Sequence, residues 1–362
     1  MSPSSGWTEH PPPNSFVLPE LKIVYISVTK AACTSLRWMI ADLAGEDLDS
    51  FPRSLSAHQT RLMTIHGGRD RRCPKVPRLS DLRQRDLSGI TPDEGWFVFA
   101  VVRDPWSRLW SAWQSKFLVR HAKYVRHYQD RLWFPRVPDD AAEVVRDWRR
   151  FVDERPWQVD QRLRQDHHFT PQARAVRPRQ LPYTKIYDLT DMASLAADLG
   201  AHLATQGRSH ELYLPRSNET PLAITAEVLA DGVADRVREL YAADFRAFGD
   251  RWDLGGLRLA PDGWTQDAVR HVAFQTQANE RIGDLSVRAK RLHRELARTR
   301  QPKLLPIETV ERRARSSRKV VRLVRKVRRY RRRLQVATRT QLRPQPHERR
   351  RDLSTGGVDG VA

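Results

Sequence analysis

The sequence predicts an α/β fold, with a central parallel sheet flanked by helices. Residues 22–28 (Lys-Ile-Val-Tyr-Ile-Ser-Val) and 96–102 (Trp-Phe-Val-Phe-Ala-Val-Val) are near-continuous runs of β-branched and aromatic residues. That is the pattern of strands buried on both faces. Each run passes through a short loop into helical periodicity, which makes two βα units.

After the first strand, Leu36, Met39, Ile40 and Leu43 mark one face of a helix, and Gly45 is placed to stop it. Residues 50–94 are polar, with scattered prolines and basic clusters, and show no clear period. After the second strand, Asp104 suits an N-cap and Pro105 the first helical position, and Trp106, Leu109, Trp110, Trp113 and Phe117 continue that helix. Residues 119–165, rich in Arg, Trp and Tyr, read as partly helical. Residues 184–187 read as a short strand, 191–199 as a helix ended by Gly200, and 225–248 as one longer helix. The expected organisation is a disordered N-terminal segment (1–19), a catalytic-sized domain (20–255), a helical extension (256–300) and a basic, partly disordered tail (301–362).

Charge separates body from tail. The chain of 362 residues carries a net charge of +21. Residues 286–351 hold 25 basic and 4 acidic side chains, whereas residues 1–285 hold 39 and 37. The body is therefore near-neutral, and the basic character says little about what the body binds. No apolar run approaches the length of a membrane span, and residues 1–20 lack the apolar stretch of a secretory signal. A cytoplasmic location is expected. The two cysteines, Cys33 and Cys73, cannot build a disulfide framework and lack partners at zinc spacing. Arg71 and Arg72 beside Cys73 argue for a lowered thiol pKa, yet both cysteines are expected to be packing residues.

Two loops carry chemistry. Thr29, Lys30, Ala31, Ala32, Cys33, Thr34 and Ser35 lie between strand and helix. A helix N-terminus offers N–H groups and a positive dipole end to an anion, and small side chains let a phosphate approach the backbone. No glycine occurs from Lys22 to Asp42, so this is not the loop that wraps a nucleoside triphosphate. A nucleotide kinase on a related fold is thereby disfavoured. Arg103, at the carboxyl end of the second strand where α/β sheets bind ligands, and Ser111 in the next helix suit a second phosphate.

These segments resemble the carbohydrate sulfotransferases of sulfotransferase family 2. The family's first loop reads roughly P-K-x-A-C-T-x-x-K/R; here Lys30-Ala31-Ala32-Cys33-Thr34-Ser35-Leu36-Arg37 matches, with Thr29 in place of the leading proline. Its second motif reads roughly V-R-D-P-F-x-R-L-x-S-A-Y-x-x-K-F, and residues 102–117 match it densely. His168-Phe169-Thr170-Pro171-Gln172 resembles an H-W-x-P-Q element. Leu240-Tyr241, Asp244-Phe245 and Phe248-Gly249 resemble the closing L-Y-x-x-D-F-x-x-F-G. The resemblance covers about residues 20–250 and implies the P-loop-like sulfotransferase fold. It also implies 3′-phosphoadenosine 5′-phosphosulfate (PAPS) as sulfuryl donor without a metal, and a hydroxyl of a carbohydrate or glycolipid as acceptor. Lys30 and residues 31–35 would hold the 5′-phosphosulfate, and Arg103 with Ser111 the 3′-phosphate.

Sulfuryl transfer resembles in-line phosphoryl transfer: charge builds on the departing oxygen, where Lys30 can meet it. The acceptor hydroxyl must lose a proton, and histidine suits that task near neutral pH. Relatives place a histidine between the two phosphate motifs. His66 fits that place best, His58 second, and His168 belongs to the matched H-x-x-P-Q element. Asp70, Asp93 and Glu94 stay open as alternatives.

In the tail, Val320, Leu323, Val324, Val327 and Leu334 recur at roughly helical spacing among arginines and lysines. Peripheral binding to an anionic membrane surface, binding to nucleic acid, and a solvated extension remain open; scarce aromatics weigh against nucleic acid. On the membrane reading, the protein co-sediments with anionic liposomes, is released by salt, and ignores neutral liposomes. Preference for duplex DNA over anionic liposomes at ~0.15 M salt removes that reading.

Overall fold

The sheet begins with the run that the sequence singles out: β2 (Ile23–Ile26) lies fully buried at the centre of the core. It pairs in parallel with β3 (Phe97–Val102), Ile23 opposite Phe97, and β3 pairs in parallel with β4 (Lys185–Asp188). On the other side of β2 lies β1 (Ser15–Leu18), antiparallel, giving the order β1-β2-β3-β4. The protein is seen in a computed structural model, which describes residues 7, 11–51, 61–66, 73, 75–215, 220–300, 326 and 329.

β1 corrects the expectation of a disordered N-terminal segment. Phe16, Val17 and Leu18 are buried, and the Trp7 indole, also buried, donates to the Ile90 carbonyl at 2.7 Å. The sheet is accordingly mixed, with three parallel strands and one antiparallel edge.

The helices follow in chain order. α1 (Cys33–Leu43) leaves the loop after β2, and α2 (Pro105–Trp113) leaves the loop after β3. Asp104 caps α2 as expected, its carboxylate accepting from the Ser107 N–H at 2.7 Å. α2 runs on into a five-residue π turn, Gln114–Leu118. α3 (Ala122–Tyr128), α4 (Ala141–Glu154), α5 (Gln172–Val176) and α6 (Met192–Thr205) come next. α6 continues through Gly200 rather than ending there. The run at 225–248 is three helices, not one: α7 (Ala226–Leu229), α8 (Val233–Leu240) and α9 (Ala242–Phe248). Asp231 and Gly232 both have positive φ, 56° and 75°, which breaks the first junction.

The chain divides into two units, residues 1–290 and 291–362. The first therefore takes in much of the expected helical extension, since α10 (Gln266–Arg300) buries Val269, Val272 and Thr276. Thr276 donates to the Leu118 carbonyl, Asn279 to that of Val119, and Glu280 pairs with the buried Arg120 at 2.8 Å. In the second unit, Arg291 pairs with Glu295 at 3.0 Å. The amphipathic pattern from Val320 to Leu334 lies outside the described residues, Lys326 and Arg329 excepted. No helix among the described residues is long and apolar enough to cross a membrane.

An indole cluster fastens α2 to the body. Trp110 and Trp113 stack on each other and meet the edge of Trp148 from α4, with centroids 5.1–5.5 Å apart. Trp106, Trp110 and Trp148 donate to the carbonyls of Ala234, Leu222 and Val228. Each buried N–H thus pins a backbone carbonyl of the 222–234 segment to α2 or α4. Trp148→Ala should cost ~3–5 kcal/mol, mostly from the cavity left behind. Thermal unfolding checks this, at about 2–4 °C per kcal/mol for a body of this size.

Candidate active site

The loops after β2 and β3 emerge at the same end of the parallel strands, the end at which α/β sheets bind ligands. In the first loop Lys30 and Ala32 both take positive φ, 68° and 53°. Left-handed geometry in non-glycine residues costs ~1–3 kcal/mol each. It curls the backbone between β2 and α1, and α1 starts with no side-chain cap on its N-terminus. The Lys30 ammonium donates to Ser115 Oγ at 3.1 Å. Burial, then the nearby Lys116 charge, pull the Lys30 pKa down to about 7.

The second loop lies against the first. The Arg103 guanidinium makes a long bond, 3.4 Å, to the Lys30 carbonyl. Its backbone is clamped by the Gln172 carboxamide, which accepts from Arg103 N at 3.2 Å and donates to Arg103 O at 2.6 Å. Ser111 is buried in α2, and its Oγ accepts from Thr220 at 3.0 Å. That leaves the Ser111 proton to donate.

The structure brings His66 to the loop, but in a different role from proton acceptor. An Arg37 N–H donates to His66 Nδ1 at 2.6 Å, so Nδ1 is the acceptor and Nε2 carries the proton. That Nε2 lies 2.9 Å from Thr34 Oγ1 and donates to it. Burial and then Arg37 hold the ring neutral, with its pKa down at about 3. Neither nitrogen offers a lone pair to a substrate. His66 braces Thr34 at the start of α1.

His58 and Asp70 lie outside the described residues. Asp93 and Glu94 sit in the turn before β3, at the opposite end of that strand from the Arg103 loop. Cys73, expected to have a lowered pKa, is instead pushed up to about 11 by burial and then Glu46.

Sequence reasoning missed four residues that the structure assembles. Arg108 is 1% exposed; its Nε donates to the Thr29 carbonyl at 3.1 Å and its Nη2 to the His167 carbonyl at 3.0 Å. The Thr29 hydroxyl donates to the same His167 carbonyl at 2.6 Å. The segment around His168 is thereby fixed to the first loop. There Asp166 Oδ1 lies 2.6 Å from His168 Nδ1, and Tyr124 donates to Asp166 Oδ2 at 2.5 Å. Burial would raise the Asp166 pKa, but the bonds from His168 and Tyr124 outweigh it and keep the carboxyl ionised. Lys116, 9% exposed in the π turn, is the fourth; burial chiefly lowers its pKa, to about 8. Arg108 and Lys116 both fall within the matched residues 102–117. Nothing local marked Asp166 or Tyr124.

The closing motif fastens this segment from behind. Tyr241 donates to the Phe169 carbonyl at 2.8 Å, and Asp244 accepts from the N–H groups of Gln172 and Ala173. Asp166, His167 and His168 also present potential ligand atoms within 4.8 Å of one another. Asp166 Oδ1 and His168 Nδ1 are also hydrogen-bonded to each other at 2.6 Å.

The two loops thus gather Lys30, Lys116, Arg103 and Arg108 around the start of α1, a cationic surrounding suited to an anionic ligand. A sulfotransferase-family profile matches residues 13–249, and the chain belongs to the sulfotransferase family. It is a transferase of sulfur-containing groups. No curated protein and no solved structure gives a match.

A bound anion raises the pKa of Lys30 and Lys116 above the values of about 7 and about 8 that they hold without one. Binding therefore takes up protons above about pH 7. If the anion is 3′-phosphoadenosine 5′-phosphate (PAP), its affinity should be steady below that pH and fall as it rises, by up to about tenfold per unit for each lysine. Calorimetry in buffers of different ionisation enthalpy checks both sign and size.

Proposed function

We propose that the protein transfers the sulfuryl group of PAPS to a hydroxyl of a carbohydrate or glycolipid. The observation that carries the reading is the contact between the two loops, Arg103 to the Lys30 carbonyl at 3.4 Å. It sets a guanidinium beside the lysine loop, as a ligand with phosphates at both its 3′ and 5′ positions requires. The donor set fits such a ligand: Lys30 and the backbone of 31–35 for the 5′ side, Arg103 and the Ser111 hydroxyl for the 3′ side. The carbohydrate acceptor rests on the likeness of residues 29–37 and 102–117 to carbohydrate sulfotransferases.

The chain's part in the reaction is positioning and charge. Lys30 meets the charge that develops on the leaving oxygen, and in a half-buried site such a cation supplies several kcal/mol. Its bond to Ser115 holds the ammonium in one place beforehand. Arg103 grips a phosphate that takes no part in bond breaking, so it contributes binding rather than rate.

Two variants test this. Lys30→Ala should lower kcat by about 10²-fold or more, because its charge matters most in the transition state. Arg103→Ala should weaken PAP strongly but leave adenosine 5′-phosphosulfate, which lacks the 3′-phosphate, nearly unchanged. Equal losses for both ligands would show Arg103 to be structural.

A further inference from the structure

The geometry points to His168, positioned by Asp166 and Tyr124, as the group that takes the proton from the acceptor hydroxyl. This rests on the sulfuryl-transfer reading and deepens it.

The argument turns on lone pairs. A base needs an sp² nitrogen that no protein donor occupies. His66 has none, since Arg37 fills Nδ1 and Nε2 carries the proton bound by Thr34. His168 has the reverse arrangement. Asp166, an ionised acceptor, lies 2.6 Å from Nδ1 and fixes the proton there. Nε2 is left as the basic nitrogen. The Asp166 carboxylate is itself oriented by three donors: the Tyr124 hydroxyl at 2.5 Å, the His168 backbone N–H at 3.0 Å and Lys123 at 3.6 Å. This carboxylate–imidazole pair has the logic that activates hydroxyl nucleophiles elsewhere.

Position agrees with chemistry. The His167 carbonyl, one residue before His168, takes its two hydrogen bonds from Thr29 and Arg108 beside the donor loop. The next residue, Phe169, stacks on Phe117 with centroids 5.6 Å apart, and Phe117 follows Lys116 in the π turn. The dyad is thus held from both sides against the elements that carry Lys30 and Lys116.

The groups around His168 are Asp166 and His167 on its own segment, Lys116 in the π turn, and Lys123 and Tyr124 on α3. Burial first, and then Lys116, keep the ring neutral to well below the usual histidine range, against the pull of Asp166. A neutral ring is ready to accept a proton. In the step itself, the acceptor oxygen forms a bond to sulfur as the bond from sulfur to the bridging oxygen breaks. The bridging oxygen departs with that electron pair on the 5′-phosphate of PAP. The hydroxyl proton passes to His168 Nε2 and from there to solvent.

The test uses the full chain and PAPS, with PAP release as the readout, in water alone and with a panel of glycosides. His168→Gln should lower turnover by about 10²–10⁴-fold while PAP affinity stays within about twofold, as a general base requires and a structural residue does not. His66→Ala should do the opposite: weaker PAP binding, with the pH dependence of turnover retained. Lys116→Met should move the acid limb of turnover to higher pH, since a like charge that lowers the His168 pKa is gone. Asp166→Asn should move it lower and reduce kcat. Chelation with EDTA should leave turnover unchanged. His168→Gln turning over like the wild type, or EDTA abolishing activity and zinc restoring it, overturns the inference. Wild-type protein that binds no PAP overturns the donor reading instead, which keeps the two failures apart.

Discussion

The site depends on one buried guanidinium. Arg108 reaches out of α2 to hold the carbonyls of Thr29 and His167, at 3.1 and 3.0 Å, although these residues are 79 and 59 positions away in sequence. A hydrogen bond from a charged donor contributes roughly twice a neutral one. Losing this one would leave the Thr29 carbonyl without its donor and the lysine loop joined to the histidine segment by the Thr29 hydroxyl alone. Lysine could not replace it, because a single ammonium lacks the fork that spans two acceptors. The indole anchors of α2 serve the same end, since they fix the helix from which Arg108 projects.

Two kinds of motif residue emerge from this. Lys30 and Arg103 carry charge at the paired loops. Gln172, Tyr241 and Asp244 act from behind and tie Arg103 and the 169–173 segment together through backbone bonds. A buried carboxylate that accepts two backbone N–H groups is worth keeping for geometry alone. The distance of the closing motif from the loops in sequence therefore conceals a short path in space.

Much of the fold was legible because it is local. The β2 and β3 runs, the Asp104 cap and Pro105 at the first turn all follow from short-range chemistry, and each is found where it was expected. β1 was missed because Phe16-Val17-Leu18 is too short a run to stand out among prolines and serines; its burial comes from pairing with β2. Gly200 lies inside α6, where tertiary packing overrides its low helix propensity. The Lys30 loop could be placed between strand and helix from residue type and position. The Asp166–His168 contact could not, because Asp166 carries no local signal and the bonds of His66 to Arg37 and Thr34 appear only in three dimensions.

The π turn at Gln114–Leu118 has a consequence for how this family can vary. A wider turn accommodates one residue more than an α-helix of the same rise, so everything after it is rotated by about 100° relative to a regular helix. Ser115 and Lys116 sit in the widened stretch, and Phe117 carries six aromatic neighbours beyond it. A single-residue deletion there would restore helical regularity and turn the ammonium of Lys116 away from Lys30 and His168, whose pKa values its charge lowers. Four of its five side chains are buried and the fifth, Ser115, holds the Lys30 ammonium, so the stretch is constrained in side chain as well as in length.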